Sequence, residues 1–247
     1  MRGHYEGIWN VVRFNWPKYA VGGAVVLIAA TATALTSGTW SVVFAVLSGL
    51  SALGLVLPLI ASHVIYDRSD LYALPWLADL EPDSNGTLLN INAGFDEISS
   101  LLQRRFPKCD LQVVDFYDAR KHTERSIERA RSVYPAFPGT RAVVITVLPF
   151  PDRTIDIAVA FLSLHEIRDD GERIRALTEL RRVLALSGQL IVTEHLRDVA
   201  NFCVFNFGFF HFHARSTWLR AFGEAGFRVL SSRRTKLFIT TFILEPL

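Results

Sequence analysis

A chain of 247 residues that is 50% hydrophobic, with mean hydropathy +0.26, is too apolar for an ordinary soluble domain and too polar for a polytopic membrane protein. Its net charge of +2 and pI of about 8.6 are too mild to argue for a nucleic-acid partner. The two cysteines, Cys109 and Cys203, form neither a metal-ligand spacing nor a disulfide framework, and free thiols suit a reducing cytoplasm.

Met1–Asn15 places Tyr5, Ile8, Trp9, Val11, Val12 and Phe14 among a few charges. The pattern fits an interfacial amphipathic helix or a disordered tail, and residues 1–18 are set apart on that basis. From Tyr19 to Tyr66 there is then no Asp, Glu, Lys or Arg, a run of 48 residues. A helix needs about 20 apolar residues to cross a bilayer, so the run predicts two spans. They are roughly Tyr19 to Thr36 and Trp40 to Ala61, broken at Ser37-Gly38-Thr39. Trp16, Tyr19, Trp40 and Tyr66 sit at the expected interfaces, and Gly22, Gly23, Gly49 and Gly54 permit close helix approach. Pro58 predicts a kink that a membrane helix tolerates. Arg2, Arg13 and Lys18 precede the hairpin and its turn is uncharged, which predicts both ends in the cytoplasm. Residues 19–66 therefore read as a transmembrane hairpin and residues 67–85 as a connector.

Residues 86–247 alternate apolar runs with amphipathic helical patterns, the signature of a parallel sheet covered by helices. Strands are expected at Thr87–Asn90, Leu111–Asp115, Arg141–Val147, Ile155–Phe161, Gln189–Glu194, Phe227–Ser231 and Lys236–Leu244. Helices are expected at Phe95–Arg105, Thr123–Val133, Glu172–Leu186 (ended by Ser187-Gly188) and Ser216–Ala225 (capped by Gly226). The fold class is α/β: a Rossmann-like, seven-stranded, mostly parallel sheet with helices on both faces, preceded by the two-helix hairpin. Ligands of such sheets bind beyond the carboxyl ends of the strands. There the first strand runs into a turn holding Gly94, and Asp115 ends the second strand about 20 residues later, placed for ribose hydroxyls.

Two stretches carry a stronger signal: LPFPDRTIDIAVAFLSLHEI, from Leu148, and ELRRVLALSGQLIVTEHL, ending at Leu196. They resemble class I S-adenosylmethionine-dependent methyltransferases, in particular the branch that includes ubiquinone and menaquinone biosynthesis enzymes. The likeness runs from about Thr87 to Glu245. It implies S-adenosylmethionine as cofactor. Asn90, Asn92 and Gly94 match the family's loop under the methionine part, Asp115 its ribose-binding acid and Phe116 the residue beside the adenine. Phe161 and Leu162 match the segment lining the sulfonium. Asn90 stands where the family has an acid, Asn92 where it has its first glycine, Asp96 where a third glycine is common, and Val144 near an acid that reads the adenine amine. Asp96, at a helix start, is placed to pair with the cofactor's ammonium. Three readings stay open for this loop: cofactor binding through substituted contacts, a degenerate relic, or another nucleotide. An NAD-linked reductase is the rival enzyme class, but Gly-x-Gly-x-x-Gly is absent.

Methyl transfer requires alignment of donor and acceptor and, for hydroxyl or acidic-carbon acceptors, removal of a proton. His165, after the fourth strand, and Glu194 and His195, at the end of the fifth, are the candidates, either as catalysts or as groups that orient loops. Glu194 could equally be the partner of an arginine. His211-Phe212-His213 with His165 or His195 could hold a metal, but no acidic or thiol cluster accompanies them in the sequence, so none is expected. Arg125, Arg129 and Arg131 read as a solvated helix face, with contact to lipid phosphates as the second reading. Asn201–Phe212 has six phenylalanines in twelve residues, an apolar acceptor pocket or a segment dipping into the interface. The expected partners are a lipophilic small-molecule substrate and membrane lipid, with no nucleic acid and no signal for an oligomeric state. The function this implies is a membrane-anchored methyltransferase acting on a lipophilic molecule, its domain in the cytoplasm. The alternative is a tethered, non-catalytic binding module.

Overall fold

The computed structural model describes residues 3–77, 86–122 and 124–247. It begins with three helices, α1 (Glu6–Phe14), α2 (Trp16–Leu35) and α3 (Thr39–Ser62). Pro17 opens α2, where its missing N–H costs nothing. Gly38 turns the chain between α2 and α3 at φ 63°, a conformation that glycine adopts without strain. The two long helices pack closely because Gly22 has no side chain: a Cβ there would lie 2.6 Å from the Leu55 side chain. Ser41 Oγ donates to the Thr33 carbonyl at 3.0 Å and Ser48 Oγ to the Val26 carbonyl at 3.2 Å, linking the pair by hydrogen bonds. Both helices are long and apolar enough to cross a membrane, and almost none of their apolar surface is buried by the rest of the protein. Val21, Leu27, Ile28, Leu35, Val42 and Leu50 point outward.

Seven strands follow: β1 (Thr87–Asn92), β2 (Asp110–Asp115), β3 (Arg141–Ala142), β4 (Ile155–Phe161), β5 (Leu184–His195), β6 (Phe227–Thr235) and β7 (Ile239–Pro246). They form one sheet in the order β3-β2-β1-β4-β5-β7-β6, in which β7, among the described strands, runs opposite to the other six. The helices between them are α4 (Ser99–Arg105), α5 (Arg125–Val133), α6 (Asp170–Val183), α7 (Val199–Phe205) and α8 (Arg215–Glu224). One face of the sheet is closed by α6 and α8 through Leu177, Leu180, Trp218 and Phe222. The other face is closed partly by α4 and partly by the end of α3 and the turns after it. Ala61, Ile65, Leu71, Leu74, Trp76 and Leu77 pack there with Leu88, Ile157, Val159 and Ile191. The first part of the expected connector is thus core; residues 78–85 lie outside the described residues.

Several boundaries differ from the sequence-based expectation. The first helix of the α/β unit starts at Ser99 rather than Phe95, because Asp96 Oδ1 collects the N–H groups of Ile98 and Ser99. The third strand is two residues long. Val143 N still donates to the Asp115 carbonyl at 3.0 Å, but Val144 to Val147 turn away from the edge of the sheet, and Val144 bridges to Val147. The helix expected to end at Ser187-Gly188 ends at Val183. Gly188 lies inside β5, where a Cβ would sit 2.9 Å from the Ile155 carbonyl oxygen, so this glycine serves close strand approach. The expected start of α5 at Thr123 lies outside the described residues; the helix begins at Arg125.

The N-terminal segment is a helix, α1, docked on the rest of the protein. Asp67, at the end of a π-helical turn (His63–Asp67), accepts from Gly7 N at 2.7 Å and Ile8 N at 3.3 Å, and pairs with His63 Nδ1 at 3.1 Å. It caps α1 from 59 or 60 positions away. At the other end Tyr134 Oη donates to Asn10 Oδ1 at 2.9 Å, and Phe14 packs edge-on against Phe95 and Tyr134. Replacing Asp67 by Ala leaves two helix N–H groups unpaired at a part-buried contact. Hydrogen exchange is expected to show the first turn of α1 losing roughly tenfold protection, about 1–2 kcal/mol, while β4 and β5 are unchanged. Unchanged protection in α1 would remove Asp67 as its anchor.

Candidate active site

The carboxyl ends of β1, β2, β4 and β5 meet along one edge. At the end of β1 the loop 90–96 is held by its own polar side chains. Asn90 Nδ2 donates to Ser99 Oγ at 2.7 Å and to Asp96 Oδ1 at 3.1 Å. Asn92 Oδ1 accepts from Gly94 N at 3.3 Å. Gly94 has φ 96°, and a Cβ there would meet Ile127, Tyr117 and Arg131 within 3.1 Å. Among the described residues three buried atoms of this loop have no partner: the acceptors Asn90 Oδ1 and Asp96 Oδ2 and the donor Asn92 Nδ2.

Asp115 ends β2 next to this loop. Its Oδ1 accepts from Tyr117 N at 2.9 Å and its Oδ2 pairs with Arg131, whose guanidinium lies 4.4 Å over the Tyr117 ring. Arg129 Nη1 donates to the Phe14 carbonyl at 2.6 Å. Two of the three arginines read as a solvated face are therefore structural. Phe116 lines a cavity of about 680 Å³ together with Asp118, His122, Val144, Glu166 and Glu172. The short β3 opens this space, since Val144 and Ile145 leave the sheet and form its wall with Val143.

At the end of β4, Phe161 is buried and Leu162 takes φ 49°, an uncommon conformation for a branched residue. That bend brings the turn Leu164–Glu166 under the end of β5. His165 Nδ1 meets Glu194 Oε2 at 2.6 Å, and His165 N donates to Glu194 Oε1 at 3.1 Å. Among the described residues Glu194 is the partner of a histidine and not of an arginine. Burial opposes charge on His165, but Glu194 and Glu166 outweigh it and push the imidazole up to about 10. Burial would also raise Glu166, but hydrogen bonds from His165 and His211 bring it well below the usual carboxylate range. Arg173, fully buried, donates to the Ile167 carbonyl at 2.9 Å and contacts His213 Nε2 at 3.0 Å, fixing the loop after this turn.

His195 is in a contrasting environment. Its Nδ1 faces Asn201 Oδ1 at 3.2 Å and the Phe238 carbonyl at 3.1 Å, so Nδ1 carries the proton. Nε2 then accepts from the Tyr66 hydroxyl at 2.8 Å. The ring stacks on Phe212 at 4.8 Å, with Phe205 edge-on at 5.1 Å. Burial pushes His195 down to about 4. Tyr66 was legible only as an aromatic ending the uncharged run; nothing in the sequence links it to a histidine 129 positions later. His211 and His213 do not act as a pair: His211 joins Glu166, whereas His213 joins Arg173.

These positions can be compared with known proteins. Residues 89–192 match a family described as a methyltransferase domain. No curated relative matches the sequence. Among solved structures, the chain is similar to an S-adenosylmethionine-dependent methyltransferase from Aquifex aeolicus (14% identity, 70% of this chain and 88% of that one, TM-score 0.53). It is also similar to one from Methanosarcina mazei (15%, 70% and 97%, TM-score 0.51) and to a protein from Pyrococcus horikoshii OT3 (16%, 72% and 89%, TM-score 0.53). The fold is the Rossmann-like methyltransferase fold.

The depressed His195 has a pH consequence. The unfolded chain binds this proton near pH 6.5 and the folded protein only near 4, so the stabilising effect is complete above about 6.5 and is lost as pH falls toward about 4. The loss is on the order of 3 kcal/mol. Thermal melting followed between about pH 7 and pH 4 should fall less steeply in His195→Gln than in the native protein. Parallel slopes would mean that His195 is not the group responsible.

Proposed function

We propose that this protein is a membrane-anchored, S-adenosylmethionine-dependent methyltransferase acting on a lipophilic small molecule. The observation that carries the cofactor assignment is the set of unpartnered atoms in the loop after β1. Buried polar groups are normally paired, and those that are not point to an absent partner. Two acceptors, Asn90 Oδ1 and Asp96 Oδ2, suit an ammonium, and the donor Asn92 Nδ2 suits a carboxylate. An amino-acid moiety has both groups. The residues present therefore fit the cofactor despite the missing acid and glycine. Asp115 retains lone pairs beyond those used by Tyr117 N and Arg131, enough for two hydroxyls. Phe116 and the neighbouring cavity offer an apolar surface for a purine ring.

When bound, S-adenosylmethionine supplies a methyl group on a sulfonium. The chain's own residues hold the acceptor and take its proton. His195 is neutral at physiological pH and accepts from Tyr66 Oη, so the two form a relay that can pass a proton from a hydroxyl acceptor into the protein. His165 is cationic there and is not a base.

Two features support a lipophilic acceptor. The hairpin leaves its apolar surface outward, and α1 presents Tyr5 and Trp9, with Trp16 beside them, at its base. The phenylalanine-rich cover packs against the same hairpin: α7 contacts α3, and Phe205 joins Tyr66 and Ala61 in one apolar cluster. Phe202 and Phe210 remain exposed on this cover. An acceptor dissolved in the bilayer reaches the edge of the sheet at this junction. The resemblance to quinone-pathway methyltransferases agrees with such an acceptor, and the basic flank of the hairpin supports a cytoplasmic domain.

Calorimetry on the detergent-purified full chain should give binding of S-adenosylhomocysteine. Asp115→Ala is expected to weaken it about 10–100-fold by removing the ribose-binding carboxylate. Absence of binding to folded protein would favour the tethered, non-catalytic module. His195→Gln should lower kcat about 10²–10⁴-fold with cofactor affinity retained; an unchanged kcat rules out the relay. Replacing Phe202, Phe209 and Phe210 with Ser should spare cofactor binding and abolish turnover of a bilayer-dissolved quinol. Unaltered turnover would refute entry past this cover.

A further inference from the structure

Glu166 is the meeting point of two histidines that come from different parts of the chain. His165 Nε2 lies 3.3 Å from Glu166 Oε1, and His211 Nε2 lies 3.0 Å from the same oxygen. The ligand atoms of all three side chains fall within 4.8 Å of one another. The outer nitrogen of each ring faces another carboxylate: His165 Nδ1 meets Glu194 Oε2 at 2.6 Å, and His211 Nδ1 meets Glu124 Oε1 at 3.2 Å. A carboxylate on Nδ1 fixes the proton there and turns the Nε2 lone pair toward the opposite side. With each ring neutral, both lone pairs point at Glu166 Oε1 and two acceptor nitrogens meet an acceptor oxygen; on His165 a second ring proton fills that contact, and a metal ion would take that proton's place. Protons can relieve that contact, and so can a cation held by all three.

We propose that His165, Glu166 and His211 bind a divalent first-row transition ion, with Glu194 and Glu124 as the carboxylates that orient the two imidazoles. Two histidines and one carboxylate form a three-ligand face, and imidazole selects zinc, iron, nickel or copper over magnesium and calcium. Bonds of about 2.0–2.2 Å at ordinary coordination angles set neighbouring ligand atoms roughly 3–3.5 Å apart, the range of the two Glu166 contacts. Glu166 also lines the 680 Å³ cavity, so the remaining coordination positions are reachable by a small molecule. The site is well shielded: the side chains of His165, Glu166 and His211 are 13%, 5% and 23% exposed. Arg168 is the competing cation. It donates to the His211 carbonyl at 2.5 Å and its guanidinium lies against the His211 ring, 4.0 Å from Glu166 Oε2. Its side chain is 41% exposed, which leaves it free to turn to solvent when an ion takes its place. His211 ends the phenylalanine-rich cover, so the ion would also staple that cover to the loop after β4. This inference does not depend on the methyl-transfer reading.

The test uses the full chain in mild detergent, stripped with a chelator and titrated with Co²⁺ alone, then with Zn²⁺ in competition. One equivalent of Co²⁺ should bind with visible d–d absorption, and Zn²⁺ should displace it. Glu194→Gln, which leaves the ligands in place, should weaken binding about 10–100-fold, and His211→Ala and Glu166→Gln should weaken it further. Circular dichroism reports whether each variant is folded, and His211→Ala, on the surface cover, decides the matter if Glu166→Gln fails to fold. Asp115→Ala should bind Co²⁺ normally, which separates this site from the proposed cofactor site. Absence of stoichiometric Co²⁺ or Zn²⁺ binding to folded native protein, or undiminished binding in folded His211→Ala, overturns the proposal.

Discussion

A mostly parallel sheet must be covered on both faces, because its strands are apolar on both. Here one of those covers is the continuation of an apolar helix. α3 runs without a charged residue from Thr39 to Ser62 and then passes through a π-helical turn into Leu71, Leu74, Trp76 and Leu77, which lie under β1, β4 and β5. The hairpin is therefore not hung on a loose tether. Its last turn is part of the core, and Tyr66, at that junction, reaches His195 at the end of β5. The docking of α1 depends on the same junction, since its cap is Asp67.

The site edge places two histidines close together in opposite electrostatic states. His165 faces Glu194 and Glu166, and their charge overcomes its burial. Among the described residues the hydrogen-bond partners of His195, namely Tyr66, Asn201 and a backbone carbonyl, are neutral, so burial wins. Both follow from neighbouring strand ends: β4 delivers His165, β5 delivers Glu194 and His195, and alternation along β5 directs those two side chains to opposite faces. The Glu194 side faces the cavity of Glu166, and the His195 side faces the aromatic junction with α3. One strand end thus separates a charged compartment from an apolar one.

Much of this architecture was legible from the residue pattern. The uncharged run fixed two helices with a break at Gly38, and the apolar runs located every strand of the sheet. Errors arose where a local pattern had two meanings. Arg141–Val147 reads as an edge strand by β-branched content, yet only Arg141 and Ala142 are in register with β2, and after Val143 N donates to the Asp115 carbonyl at 3.0 Å the end of β2 offers no more. Ser187-Gly188 reads as a helix stop, yet the glycine is needed for contact with the Ile155 backbone. Arg129 and Arg131 read as solvated because nothing in the sequence places Phe14 or Asp115 beside α5.

The sequence by itself determined the fold class, the hairpin and the identity of the loop and strand ends that carry the candidate site, since these depend on periodicity and on residues close in the chain. Only the tertiary structure decided which side chains meet. Glu166 next to His165 is a dipeptide with no evident meaning until His211 arrives from 45 positions away. Tyr66 acquires a role only when α3 enters the core, and Asp67 only when α1 folds back onto it. Pattern encodes which face of an element is apolar, but hydrogen bonds and ion pairs require atoms within about 3 Å. Whether two distant residues come that close is set by how the layers pack.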